Sequence, residues 1–250
     1  YSALDVPPDD LINTLYSMRD SDFIGVNLTV PHKEVAYHQL DLLDDSAKLF
    51  KSVNTVHFSD KGLMGYNTDG VGFLKALEES FGLIQNKNVF VLGCGGAGRT
   101  VALQMAINGI ERICLADVNN EKLIKLSNEL KNISSKIEIN YTNISSEKID
   151  LCKSCDLVVQ ASPIGMKLSD EALLPVEAFH KNQKVFDLIY MYPETQFLKT
   201  AKMSGAEIAN GLGMLLHQGS RSFTIWTDQD PDIKAMRKSL EEVVYGNIRW

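Results

Sequence analysis

The 250-residue sequence lacks long apolar runs and lacks an excess of positive charge. No stretch approaches the roughly 20 consecutive apolar residues that span a bilayer, and the first residues lack the basic and apolar regions of a secretion signal. Lys and Arg total 25 against 32 Asp and Glu, which gives a net charge of -7 and disfavours binding to a phosphate backbone. We therefore expect a cytoplasmic protein that binds neither membranes nor nucleic acid.

Cysteine is also scarce. The four cysteines, Cys94, Cys114, Cys152 and Cys155, lie in the middle of the chain, two of them within or beside apolar runs. This distribution predicts reduced, packed thiols and not a disulfide framework. Cys152 and Cys155 have the spacing of a redox or metal-binding pair, but no second Cys or His pair follows at zinc-site spacing, so no metal site is predicted.

The chain does contain enough apolar residues, 44%, for one large or two modest domains. From Asn88 onward, short runs rich in Val, Ile or Leu alternate with amphipathic segments. The runs predict strands at 88–92, 112–117, 136–141, 156–161, 185–190 and 206–209. Amphipathic segments such as 97–108 and 121–130 predict helices between them. Repeated strand, helix and strand indicate right-handed crossovers and a parallel sheet.

The pattern before Asn88 is different. Strands are predicted at 23–30 and 52–58, with 62–66 forming a hairpin with the latter, and helices at 8–18 and 70–81. Helices at 214–226 and 232–245 follow with no strand, and we expect both to pack on the first domain. The fold class is therefore α/β: a Rossmann-like, parallel-sheet dinucleotide domain over 70–211, and a smaller α/β substrate-binding and catalytic domain over 1–69, completed by the C-terminal helices in 212–250.

A glycine-rich motif follows the first strand of the predicted parallel sheet. Its residues are Gly93, Cys94, Gly95, Gly96, Ala97 and Gly98. The G-x-G-x-x-G pattern between a strand and a helix is typical of dinucleotide binding. Gly93 permits the tight turn, Gly95 lets backbone N–H groups approach the pyrophosphate, and Gly98 lets the helix pack close to the strand. The alternative is a glycine-rich turn that binds nothing.

Asp117 ends the next predicted strand, at the position where an acid accepts hydrogen bonds from the adenosine ribose. A carboxylate there would repel a 2′-phosphate, so the predicted cofactor is NAD, with NADP as the alternative. The other role open to Asp117 is to cap the following helix, whose first turn contains Glu121.

Polar residues interrupt the strand-like runs of the first domain. Lys33 follows a strand and could supply the proton that accompanies hydride transfer, although a lysine followed by Glu34 is also typical of a solvated helix start. Asn54 lies between Val53 and Val56, where an uncharged polar group has little structural reason to be. Asp69 lies at the predicted domain junction, although Asp before Gly also favours a turn.

Five motifs together resemble the shikimate dehydrogenase family. They occur in the family's order and extend over nearly the whole chain: Asn27–Lys33, Asn54–Thr55, Asn67–Gly72, Gly93–Gly98 and Gly211–Leu215. The resemblance implies reversible, NAD(P)-linked interconversion of 3-dehydroshikimate and shikimate in aromatic amino-acid biosynthesis, with quinate used by one branch.

The resemblance also implies residue roles. Lys33 is the acid/base lysine and Asp69 is its partner. The implied substrate ligands are Thr29, Asn54 and Gln218 for the hydroxyls and Tyr190 for the carboxylate. Gly211 is the implied backbone contact to the nicotinamide amide, and Leu188 is counted with the cofactor-binding residues. We expect small-molecule partners only, and a monomer or homodimer.

The sequence departs from the family pattern in several places. It begins after the family's first strand and its Ser-x-Ser carboxylate clamp, so we expect that an isolated fragment without the clamp binds substrate poorly. Ala116-Asp117-Val118 stands where NADP-preferring members usually have Asn-Arg-Ser/Thr. Gln160-Ala161-Ser162 replaces the usual Asn-Ala-Thr. Two alternatives stay open: a non-catalytic nucleotide or metabolite sensor on the same scaffold, and another two-domain NAD enzyme.

Overall fold

The computed structural model describes residues 1–83, 85 and 87–246, which divide into two compact units. The first unit contains Tyr1–Asp69 and Gln218–Asp232. The second contains Gly70–His217 and the described residues from Ile233 onward. Within the described part of the chain, no helix combines the length and the apolar character needed to cross a membrane.

The first unit is a small α/β structure. A 3-10 turn at Pro8–Asp10 precedes its elements, which are α1 Leu11–Arg19, β1 Gly25–Asn27, α2 His32–Gln39, β2 Leu42–Leu43, α3 Asp45–Phe50, β3 Thr55–Ser59 and β4 Gly62–Tyr66. The strand order is β1-β3-β4-β2, with β3 antiparallel to β1 and β4, and β2 parallel to β4. The predicted hairpin is confirmed, with Thr55 opposite Tyr66 and Ser59 opposite Gly62.

The core of the first unit lies between this sheet and its helices. Leu11 and Leu15 are one helical turn apart on α1 and are buried with Ala36, Val53 and Val56. The helix predicted over 8–18 is confirmed as α1, and this spacing forms its buried face. Neither α2 nor α3 is predicted, because these helices have only 8 and 6 residues and give little periodic signal.

The second unit contains the predicted parallel sheet. Its elements are α4 Asp69–Phe81, which begins at the last residue of the first unit, β5 Asn88–Leu92, α5 Gly96–Ile107, β6 Arg112–Ala116, α6 Asn120–Ile133, β7 Glu138–Thr142, α7 Ser145–Lys153, β8 Leu157–Gln160, β9 Lys184–Asp187, α8 Gln196–Met203 and β10 Glu207–Asn210. The strand order is β10-β9-β8-β5-β6-β7, and all pairs are parallel. The α/β fold class is confirmed.

The last two helices are α9 Leu212–Thr227 and α10 Ile233–Tyr245. The expectation that residues 212–250 complete the first domain needs a correction, because residues 212–217 of α9 and the whole of α10 belong to the second unit. Arg237 on α10 donates two hydrogen bonds to Glu79 on α4, at 2.6 and 2.7 Å. Tyr245 donates to the carbonyl of Tyr190 at 2.9 Å. These polar contacts join positions far apart in sequence, so the helical periodicity of 232–245 could not reveal them.

Candidate active site

Lys33 and Asp69 form an ion pair in the first unit. Lys33 is the second residue of α2 and Asp69 is the first residue of α4. Lys33 Nζ lies 2.7 Å from Asp69 Oδ2, and the two side chains are 26% and 16% exposed. A small molecule can thus reach both groups, while partial burial strengthens their interaction.

The position of Asp69 is fixed by a local turn. The side-chain oxygen of Asn67 accepts from the backbone N–H of Asp69 at 3.0 Å, and the amide nitrogen of Asn67 donates to the carbonyl of Ser52 at 3.1 Å. The carboxylate of Asp69 also lies at the N-terminus of α4, where the helix dipole favours negative charge. The turn chemistry read from the sequence and the ion pair with Lys33 therefore coexist at this residue.

Asn54 connects the carboxylate of Asp69 to α9. Its side chain is almost fully buried, and its Nδ2 donates to Asp69 Oδ1 at 2.9 Å and to Gln218 Oε1 at 3.2 Å. Its Oδ1 accepts from the backbone N–H of Thr68 at 2.8 Å, which sets the orientation of the amide. The structure thus brings together four of the expected site residues in the first unit: Lys33, Asp69, Asn54 and Gln218.

Thr29 does not join this cluster through a hydrogen bond among the described residues. It is exposed in the turn before α2, where its carbonyl accepts from the backbone N–H of His32 at 2.8 Å. Its role as a substrate ligand stays a prediction.

A second polar layer, which the sequence reasoning missed, lies behind Asn54. The Ser222 hydroxyl is fully buried, lies 2.8 Å from Thr55 Oγ1, accepts from Asn27 Nδ2 at 3.0 Å and donates to the carbonyl of Gln218 at 3.0 Å. The available signal was the spacing of Gln218 and Ser222, since residues four apart share a face of a helix. This layer supports the backbone of Gln218 and the strand that carries Asn54.

The glycine motif of the second unit forms the turn between β5 and α5. Gly93 has φ +98°, and a Cβ on Gly98 would lie 1.8 Å from the carbonyl oxygen of Gly93, so both positions need glycine for the turn itself. A Cβ on Gly95 or Gly96 would meet no atom within 4 Å in the described structure. The space over Gly95 and Gly96 and the N-terminus of α5 therefore fit a pyrophosphate.

Asp117 follows β6 and contacts this motif. Its Oδ2 accepts from the backbone N–H of Cys94 at 2.6 Å, and its Oδ1 accepts from the backbone N–H of Asn119 at 2.8 Å. The alternative that Asp117 caps the next helix is wrong: Asn119 is the cap of α6 and accepts from the N–H of Lys122 at 3.1 Å. Burial and the charge of Asp117 raise the pKa of Cys94 to about 12, so its thiol is neutral.

Leu188, Tyr190 and Gly211 lie beyond the ends of β9 and β10. The N–H of Gly211 donates to the carbonyl of Ile189 at 3.2 Å, and a Cβ on Gly211 would lie 2.0 Å from the carbonyl oxygen of Leu188. Position 211 therefore requires glycine, because its backbone lies too close to the carbonyl of Leu188 for a side chain. The sequence run 185–190 predicts a longer strand than β9, because Leu188 to Tyr190 are apolar enough to continue a strand but leave the ladder after Asp187.

The four cysteines are free and buried, in agreement with the prediction of packed thiols. Burial raises the pKa of Cys152 and hence keeps its thiol neutral. Among the described residues, no group of three or more His, Cys, Asp or Glu side chains could hold a metal ion.

Comparisons with protein families find three matching models. The shikimate dehydrogenase substrate binding domain matches residues 1–56, and the shikimate 5′-dehydrogenase C-terminal domain matches residues 211–241. The saccharopine dehydrogenase NADP binding domain matches residues 89–169. The matched ranges therefore include Lys33, Asn54, the glycine motif and Gln218.

Individual proteins match over most of the chain. A shikimate dehydrogenase (NADP(+)) from Methanococcus maripaludis is 37% identical over 96% of this chain and 85% of the relative. A crystal structure of a shikimate dehydrogenase in complex with NADP+ matches with a TM-score of 0.87, 32% identity and coverage of 97% and 84%. The shikimate 5-dehydrogenase of Listeria monocytogenes, in complex with shikimate and NAD, matches with a TM-score of 0.86, 28% identity and coverage of 95% and 84%.

These proteins are named as enzymes, so the comparisons do not support the alternative of a non-catalytic sensor.

The comparisons also bear on the choice of cofactor. The curated relative is named for NADP(+), and the two solved structures contain NADP+ and NAD respectively. NAD as the primary cofactor is thus not supported by the comparisons, and its preference rests on the residues of this chain alone.

Proposed function

The chain belongs to the shikimate dehydrogenase family, and from that premise we propose that it catalyses the reversible oxidation of shikimate to 3-dehydroshikimate with a nicotinamide dinucleotide. The observation that carries this proposal is the Lys33–Asp69 pair, 2.7 Å apart, with the amides of Asn54 and Gln218 beside the carboxylate. A polyhydroxylated substrate needs such a mixture of donors and acceptors, since each hydroxyl both donates and accepts.

The Lys33–Asp69 pair provides the proton chemistry. The hydroxyl at the reacting carbon binds Lys33 Nζ and Asp69, and the neutral amine of Lys33 takes its proton as the carbonyl forms, which gives the ammonium that pairs with Asp69. In the reverse direction Lys33 returns the proton to the oxygen. Asp69 stabilises the protonated lysine, because an opposite charge at hydrogen-bond distance favours the charged form. Asn54 holds Asp69 Oδ1, so that Oδ2 faces Lys33.

Three further residues are proposed as substrate ligands. Gln218 and Thr29 bind the remaining hydroxyls, and Tyr190, 37% exposed, contributes to binding the carboxylate. The support for Gln218 is its bond to Asn54 at 3.2 Å. The support for Thr29 is its exposure and its place in the Asn27–Lys33 motif, and the support for Tyr190 is its exposure and the role that the family resemblance implies.

The second unit is proposed to hold the dinucleotide. The pyrophosphate binds over Gly95 and Gly96 at the N-terminus of α5, and Leu188 and Gly211 contact the nicotinamide half. When bound, the dinucleotide supplies the acceptor and donor of the hydride. Asp117 accepts from the adenosine ribose hydroxyls and opposes a 2′-phosphate, because like charges at short range repel. We propose on this ground that NAD is preferred, although the curated relative is named for NADP(+).

An initial-rate assay with shikimate or quinate and with NAD or NADP tests the function and both specificities. We expect shikimate oxidation, and kcat/KM higher with NAD by about tenfold or more. Asp117→Asn is expected to reduce that ratio, because the amide keeps the size of the side chain and loses its charge. Asp60→Asn, in the β3–β4 turn of the first unit, is the control.

Equal or better kcat/KM with NADP in the wild type would contradict the cofactor preference, and no oxidation of either substrate would contradict the function. A higher kcat/KM with quinate would assign the chain to the quinate branch.

A further inference from the structure

Asp187 is a fully buried carboxylate at the end of β9. Its Oδ1 accepts from the backbone N–H of Ile189 at 3.0 Å, and its Oδ2 accepts from the hydroxyl of Thr195 at 2.6 Å. One carboxylate therefore connects the residue after Leu188 with the residue that caps α8. Both partners are donors, which matches a group that can only accept.

Gln160, at the end of the neighbouring strand β8, contacts the same carboxylate. Its Nε2 lies 3.4 Å from Asp187 Oδ1 and donates to the carbonyls of Ser162 and Ile164 at 3.1 and 2.8 Å. Its backbone carbonyl accepts from the N–H of Leu188 at 2.9 Å. The Gln160 side chain thus bonds to the chain that follows β8 and lies close to Asp187.

The contacts continue along the carboxyl edge of the sheet in both directions. At one end, a Cβ on Gly93 would lie 2.8 Å from the backbone nitrogen of Ser162, so the glycine turn packs on this segment. At the other end, Gly211 packs on the carbonyl of Leu188 and donates to Ile189. Ligands of open parallel α/β sheets bind at this edge. Asp187 ends β9, which lies between β10 and β8, and is fully buried.

We propose that Asp187 is a positioning residue for the nicotinamide half of the dinucleotide: by accepting from Ile189 and Thr195 it holds the segment after β9 in the conformation in which Leu188 contacts this half. The inference rests on the proposed function, because it takes Leu188 as a contact of the dinucleotide. An ionised carboxylate at this buried position does not stabilise the fold. Burial raises the pKa of Asp187 to about 6, so its charge at neutral pH costs free energy.

Asp187→Asn separates positioning from packing because it preserves the size of the side chain. The amide can still accept from Ile189, but its nitrogen then faces Thr195 Oγ1, which already accepts from the N–H of Leu198 at 3.2 Å. The charge-assisted hydrogen bond from Thr195 is replaced by a weaker neutral one in which Thr195 Oγ1 accepts a second time, so the 188–190 segment is held less firmly. The matched control is Asp156→Asn: Asp156 Oδ2 accepts from the N–H of Asn88 at 2.9 Å, at the opposite, amino edge of the same sheet.

The readout is equilibrium binding to the full chain, measured by calorimetry with NADH and with ADP-ribose, which lacks the nicotinamide. Asp187→Asn is expected to weaken NADH binding about tenfold, the equivalent of one charge-assisted hydrogen bond, while ADP-ribose binds as to the wild type. Asp156→Asn is expected to bind both probes normally. Thr195→Val is expected to reproduce the loss for NADH, and Thr195→Ser to restore it, because serine keeps the hydroxyl.

Wild-type affinity for NADH in Asp187→Asn and Thr195→Val would overturn the positioning role. An equal loss for NADH and ADP-ribose would also overturn it, since general damage to the sheet does not distinguish the two halves of the ligand. The proposed function fails differently: a wild-type chain that binds NADH but oxidises no shikimate would contradict the function and leave the binding comparison intact.

Discussion

At the scale of single residues, the proposed proton chemistry depends on a charged pair that is neither fully buried nor fully exposed. Lys33 and Asp69 keep 26% and 16% of their side-chain surface accessible, while Asn54 beside them is almost fully buried. In the proposed function, the buried amide of Asn54 orients Asp69 and the accessible pair meets the substrate. A partly exposed ion pair contributes little to folding stability, which agrees with the proposed role of this pair in proton transfer.

Asp69→Asn tests the role of the carboxylate. We expect the variant to fold, because Asn also fits the turn that Asn67 forms with the N–H of residue 69. We expect kcat to fall and the pH dependence of shikimate oxidation to change, because the charge 2.7 Å from Lys33 Nζ is lost. The measurement is a pH–rate profile of both proteins.

The control for this profile is Asp45→Asn, which removes an exposed carboxylate that pairs with Lys48 in the same unit. It is expected to leave the limbs and the plateau of the profile unchanged. If Asp69→Asn also retains the wild-type limbs and plateau, Asp69 has only a structural role in the turn.

Much of the residue pattern could be predicted from sequence, for identifiable reasons. Asn54 and Asp69 stand out because polar residues interrupt apolar runs there. Ser222, the partner of Thr55, does not stand out, because serine occurs in helices without any polar role. Their pairing joins residues 167 positions apart, and no local pattern records such a contact.

At the scale of elements, the turn between β5 and α5 contains glycines with different requirements. Gly98→Ala would place a Cβ 1.8 Å from the carbonyl of Gly93, whereas Gly95→Ala meets no atom within 4 Å of the described chain. We expect Gly98→Ala to lower the free energy of unfolding by about 1–3 kcal/mol through overpacking. We expect Gly95→Ala to retain stability and to lose affinity for the dinucleotide.

Chemical denaturation and calorimetric binding with NADH measure the two effects. Gly109→Ala is unsuitable as a control because Gly109 has φ +80° and an alanine there is strained. Gly219→Ala has no such strain and meets no described atom within 4 Å, so it is the better comparison for stability. Normal NADH binding by Gly95→Ala would contradict the placement of the pyrophosphate.

The elements of the second unit were easier to predict than their ends. Strands buried on both faces read as unbroken apolar runs, which is why β5 was predicted with its observed bounds. The same pattern gives a wrong end for β9, because Leu188 and Ile189 are as apolar as the strand itself and the predicted strand runs on to residue 190. The end is set by Asp187, whose carboxylate takes the N–H of Ile189 out of the ladder.

At the scale of the whole molecule, the buried charge of Asp187 links folding to pH. The pKa of this acid is raised from 3.8 to about 6, so the folded state binds the proton more tightly than the unfolded chain does. The stabilisation is complete below pH 3.8 and is lost as pH rises through about 6. Relative to Asp187→Asn, we expect the wild type to lose about 3 kcal/mol of unfolding free energy over this window.

Urea denaturation of both proteins at several pH values measures this difference. All other titrating groups are common to the two proteins and cancel in the comparison. A difference in unfolding free energy that is independent of pH between 4 and 7 would contradict the raised pKa of Asp187.

The central claim is that Lys33 moves the proton during oxidation of shikimate, and its most direct test is the initial rate of Lys33→Ala at saturating shikimate. We expect kcat to fall by about 10²–10⁴-fold with a much smaller change in KM, because a proton-transfer group acts mainly in the transition state. Lys48→Ala, which removes an exposed lysine of the same unit, is expected to match the wild type. A near wild-type kcat with only a raised KM for Lys33→Ala would show that Lys33 is a ligand and would contradict the account.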